Sequence, residues 1–163
     1  MKLRGALAFV FSVTTAAGVV TALAGAQSPP PSGFDQTVLG PGLYVFQTRI
    51  DHASCGDAER TGEVTSYYAA VDGIPGSREM HMSLLNSRFW PDWTLNVTTS
   101  NEVVGDARQA GVTGPTQGES HFEATFADGR FTGHGTRAYT RTVDGQPVRC
   151  RVSYETLLLR FDR

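Results

Sequence analysis

The residues equipped to move a proton or hold a metal ion gather in the C-terminal third: His121, Glu123, His134 and Glu155. An imidazole flanked by two carboxylates gains basicity, and the same groups are of the kind that ligate a metal. Whether they meet depends on how the strands that carry them align. Three Asp-Gly pairs, at 72–73, 128–129 and 144–145, punctuate the chain, and the last two suggest an alignment, because Asp-Gly favours the positive φ values of two-residue hairpin turns. With Asp128-Gly129 as such a turn, Ala127 pairs with Arg130, Thr125 with Thr132 and Glu123 with His134. With Asp144-Gly145 as another, Arg141 pairs with Val148, Tyr139 with Cys150 and Arg137 with Val152. His134 then falls between Glu123 and Glu155. Opposed side chains stand about 4.5–5.5 Å apart at Cβ, and His121 lies diagonal to His134 at about 7–8 Å. Glu123, His134 and Glu155 are therefore candidate acid–base residues. Alternating charge on solvated strands produces the same row without chemistry. That is the simpler reading, since a site needs a pocket and the sequence shows none.

A second constellation is Phe89-Trp90-Pro91-Asp92-Trp93. Phe89, Trp90 and Trp93 are candidate ligand-binding residues, because such rings stack on sugars, line a ligand mouth or anchor a partner. Trp is also highly buried on average, so the cluster can equally cap one end of a core. Met80-His81-Met82, with His52 nearer the N-terminus, offers soft ligands of the kind copper takes. Alternation points Met80 and Met82 one way and His81 the other, so no metal site is expected. Asn96-Val97-Thr98 fits a glycosylation acceptor. There is no Gly-rich phosphate loop, Gly-x-Ser-x-Gly elbow or His-Glu-x-x-His, and no cofactor is expected.

The elements that must position these residues are strands. Short alternating runs rich in Thr, Val, Tyr and Phe are broken by Gly, Asp and Pro, the signature of an all-β sandwich or barrel. Strands are expected at 43–50, 63–71, 78–85, 94–99, 121–127, 130–142 and 147–161, with a further short one at 102–107. Residues 108–118 read as a loop, with Gly111, Gly114, Pro115 and Gly118 and no alternation. In the C-terminal meander one face carries Phe122, Phe126, Phe131, Tyr139, Cys150, Val152, Tyr154 and Leu158. That face is core, and Gly133 and Gly135 leave room among its rings. Arg137 and Arg141 share its parity and are expected near an open end, where a guanidinium reaches water. The opposite face, with the histidines and glutamates, is polar throughout and reads as solvated. The fold class is thus all-β: a single-domain antiparallel β-barrel or β-sandwich. Gly42-Leu43-Tyr44 early in the first strand, followed by an antiparallel meander, looks like the lipocalin-type barrels, an analogy of architecture only.

The N-terminus reads as a secretory signal over residues 1–26. Lys2 and Arg4 precede a long apolar stretch that closes on Ala24-Gly25-Ala26. Residues 27–38, with three consecutive prolines, read as an extended leader, and 39–163 as the folded domain. Lys2 and Arg4 lie in the signal, which leaves 12 basic residues against all 16 acidic ones, a balance of −4. A nucleic-acid binder would normally show a basic stripe instead. Once the signal is cleaved, no stable membrane span is expected. Cys55 and Cys150, the only cysteines, are expected to pair as a disulfide in an oxidising compartment. The leading expectation is a secreted or periplasmic module that binds a small apolar molecule or a protein partner. One alternative is a small barrel enzyme of cyclase or isomerase type, with Glu123, His134 and Glu155 facing the lumen. Another is a secreted inhibitor or envelope-associated structural module.

Overall fold

The computed structural model describes residues 38–55 and 59–161. The expected signal (1–26) and residues 27–37 of the expected leader lie outside the described residues. Eight strands build the structure: β1 (Gly42–Ala53), β2 (Val64–Asp72), β3 (Glu79–Leu84), β4 (Asp92–Val97), β5 (Glu102–Arg108), β6 (Glu119–Ala127), β7 (Arg130–Val143) and β8 (Gln146–Arg160). Each pairs antiparallel with the next, and β8 returns to β1, so the sheet closes into a barrel rather than splitting into a sandwich. The β1–β2, β3–β4, β5–β6 and β7–β8 connections lie at one end, the upper end. The other three connections and both described termini lie at the lower end.

Both Asp-Gly turns form as the sequence suggests. Asp128 and Asp144 take φ of 52° and 49°, and Gly129 and Gly145 take 79° and 78°, the backbone twist that matches flanking strands. The ladders follow from those turns: Ala127 faces Arg130, Glu123 faces His134, His134 faces Glu155, and Tyr139 faces Cys150. The short strand expected at 102–107 is β5. Of the expected loop 108–118, Arg108 ends β5, and residues 109–118 form a loop that holds one 3-10 turn, Gly114–Thr116.

Alternation sends one set of side chains inward. Tyr44, Phe46, Met82, Trp93, Leu95, Phe122, Phe131, Tyr154 and Leu158 are all buried. Each large apolar side chain contributes about 1.5–3 kcal/mol on burial. Phe46, Trp93 and Phe122 meet ring to ring with centroids 5.2–5.5 Å apart. Rings of this size fit only where the facing strand is thin. A Cβ at Gly135 would stand 2.4 Å from the Tyr154 ring, and one at Gly133 would stand 1.9 Å from the Glu123 carbonyl oxygen.

Cys55 and Cys150 are bonded, with Cα atoms 5.3 Å apart across a sequence separation of 95. The bond fastens the β1–β2 connection to β8 at the upper end. In the chain-entropy model a loop of this length is worth about 4–5 kcal/mol. The double variant Cys55→Ser/Cys150→Ser should therefore unfold in urea with a stability lower by about that amount, and a loss below about 1 kcal/mol would refute the staple. Gly135→Ala should cost at least about 1–3 kcal/mol by the same measurement, since Tyr154 and the β6 backbone leave no room for a methyl group.

Candidate functional site

Three places on the barrel carry groups that can do something, and the first is the row expected from the sequence. Glu123, His134 and Glu155 stand side by side on β6, β7 and β8, on the outer wall. They line an open trough of about 960 Å³ together with His121, Thr136 and Ser153. The lumen-facing arrangement required by the cyclase or isomerase alternative is not the one their parity produces. Arg49 on β1, which the sequence did not flag, continues the row, because the β1–β8 pairing sets it opposite Glu155.

The hydrogen bonds of the row leave His134 aside. Arg49 grips Glu155 with both ends of its fork, Nε donating to Oε2 at 2.9 Å and Nη2 to Oε1 at 2.6 Å. The hydrogen bond from Arg49 holds the Glu155 carboxyl below its ordinary value; desolvation opposes it, and the charges of Arg49 and His134 add to the lowering. Glu123 instead meets His121, whose Nε2 lies 3.4 Å from Oε1, while His121 Nδ1 lies 2.8 Å from Asp106 Oδ1. Among the described residues no group of three His, Cys, Asp or Glu side chains is placed to hold a metal ion.

The second place is the upper end. Trp90 and Trp93 are buried there, and Trp93 Nε1 donates to the Trp90 carbonyl at 3.0 Å. Two of the three candidate ligand-binding rings are thus packed into the end of the core, while Phe89 is 63 % exposed. The interior cavity beneath them, lined by Phe46, Tyr67, Arg137 and Tyr154 among others, measures about 10 Å³. Ligand pockets occupy about 300–1,000 Å³. Arg137 lies at this end, as its parity suggested, but little of its side chain reaches water. It forms an ion pair with Glu59 from the β1–β2 connection, and both side chains are nearly covered. The sequence holds no local signal for Glu59, because the contact spans 78 residues.

The third place is an apolar strip on the outer wall, running obliquely from the lower ends of β1 and β8 to the β3–β4 connection, that the sequence reading missed. Leu159, Val45 and Tyr68 face one another in register across β8, β1 and β2, and the Leu85 amide donates to the Tyr68 carbonyl at 2.8 Å. Leu43 and Phe161 form the next row. Tyr68 and Phe161 stack with centroids 6.2 Å apart, yet they are 60 % and 52 % exposed. The available signal was an outward run of apolar residues in the first and last strands, but only their pairing makes a strip of it.

His121 yields a pH test. Burial alone pulls its imidazole down, but the hydrogen bonds and charges of Asp106 and Glu123 outweigh that and leave it above its ordinary value. A raised folded-state value means that the stabilisation is full below about pH 6.5 and is lost as the pH rises through the folded-state value. Imidazole NMR titration should show His121 above the ordinary histidine value and Asp106→Asn lowering it. No family model, no curated protein and no solved structure matches this chain, so its function has to be read from its own geometry.

Proposed function

We propose that the chain is an exported barrel that binds a protein partner on its outer wall and works by binding rather than by catalysis. The observation that carries this reading is the apolar strip of Leu43, Tyr68, Leu85, Leu159 and Phe161, exposed around a half-buried Val45 on a barrel whose inside is full. Soluble monomers rarely leave a large contiguous apolar patch in water unless something covers it. The strip also has the anatomy of an interface. Its centre is apolar with two aromatic anchors, and Arg49 and Glu155 on the same strands form part of a charged rim.

A small apolar molecule has no comparable seat inside the barrel, where the cavity is far below ligand size. The up-and-down order of eight strands is that of the lipocalin-type barrels. This barrel departs from those that enclose a ligand by filling its lumen with Phe46, Trp93 and Phe122. Export is supported by the signal-like residues 1–26 and by the Cys55–Cys150 bond, which an oxidising compartment maintains. A secreted inhibitor and an envelope-associated structural module would use such a face alike, and the partner's identity separates them.

A photo-crosslinking side chain at Tyr68 in the exported protein should trap one discrete partner. Leu159→Glu, which sets a charge in the strip, should abolish the adduct. Equal labelling from Thr125 on β6, across the barrel from β2, or an adduct that survives Leu159→Glu, would overturn the proposal. An adduct of twice the chain's mass would make the partner a second copy.

A further inference from the structure

The upper end holds a charge arrangement that the outer-wall reading does not use. Arg137 projects inward from β7, with its guanidinium carbon 5.5 Å from the centre of the Tyr154 ring. Its Nε donates to Glu59 Oε1 at 3.3 Å, and its Nη2 donates to Glu59 Oε2. Tyr139 Oη donates to the same Oε1 at 2.7 Å. Both charged side chains are nearly out of water, 12 % and 14 % exposed. A planar fork and a phenol, converging on two oxygens in a desolvated niche, are what recognises a carboxylate.

Stability alone is a weak reason for such a pair. A buried ion pair loses much of its Coulomb attraction to desolvation, and apolar replacements are often as stable. The same end is already tied by the disulfide at Cys55, four residues before Glu59, with Cys55 Sγ 4.0 Å from Tyr139 Oη. Tyr139 is also held as a donor: burial, then the Glu59 hydrogen bond and charge, push its hydroxyl up to about 12. Among the described residues only Arg137 and Tyr139 bond the Glu59 oxygens, although the charge of Arg141 also acts on Tyr139; one fork and one phenol suit a single carboxylate better than a phosphate dianion.

The geometry points to a carboxylate-binding site at the mouth of the barrel, in which the side chain of Glu59 holds the place of an external monocarboxylate. The ligand's head group takes both oxygen positions on Arg137 and Tyr139 in place of the Glu59 carboxylate, and the rest of the ligand stays outside the filled barrel. This site is independent of the outer-wall strip, and either can fail without the other.

Sodium octanoate and inorganic phosphate serve as probes, titrated into the disulfide-intact exported protein and followed by NMR shifts of the Arg137 Nε–H and by calorimetry. Glu59→Gln removes the competing charge at nearly constant shape, and it should tighten octanoate binding by about tenfold or more over wild type. Adding Arg137→Gln should remove that gain. Arg137→Lys, which keeps the charge but loses the fork, should retain only part of it and covers the case in which the glutamine variant fails to fold. The proposal is overturned if Glu59→Gln binds octanoate no better than wild type. It is also overturned if the gain persists without Arg137, or if phosphate binds Glu59→Gln as tightly as octanoate does.

Discussion

Pairing the first strand with the last is the constraint that everything else in this molecule obeys. Once β1 and β8 meet, the sheet closes on itself, and an open edge remains only where one strand outruns its neighbour, as residues 139–143 of β7 do beyond β6. Closure also makes inside and outside absolute: each residue's parity decides whether it meets Phe46 and Trp93 or meets water. Eight strands enclose a space just wide enough for side chains to fill. Phe46, Trp93, Phe122 and Tyr154 fill it almost completely. What remains for function is the outer wall and the two ends.

Much of this could be read from the residues because most of the ladders are local. Asp128-Gly129 and Asp144-Gly145 each determine a register by turn chemistry alone, which is why the row Glu123–His134–Glu155 falls where the sequence puts it. Met80 and Met82 turn inward and His81 outward, as plain alternation requires. The parts that stayed hidden are those made by closure and by loops. Arg49 joins the row only because β1 lies against β8. The apolar strip exists only because Leu159, Val45 and Tyr68 come from the two ends of the chain. Glu59 reaches Arg137 from a connection with no periodicity to read.

Charge on this barrel is sorted by depth. On the wall, Arg49 with Glu155, and His121 with Asp106 and Glu123, pair in contact with water, where such pairs contribute little and respond to salt. At the mouth, Arg137 and Glu59 pair nearly out of water, where leaving either one alone is costly. The same residue types therefore decorate one place and determine a structure in the other.

The seam between β1 and β8 has different fastenings at its two ends. At the lower end, where both described termini emerge, it closes with the Phe161 amide donating to the Leu43 carbonyl at 2.9 Å. At the upper end it is followed by the covalent Cys55–Cys150 bond. A force that draws residues 39 and 161 apart loads this antiparallel pair like a zipper. The ladder opens one hydrogen bond at a time from below until the opening reaches the disulfide. The chain between Cys55 and Cys150, with β2 to β7 in it, carries none of the tension. The Cys55–Cys150 bond therefore sets a covalent limit on how far residues 39 and 161 can be drawn apart.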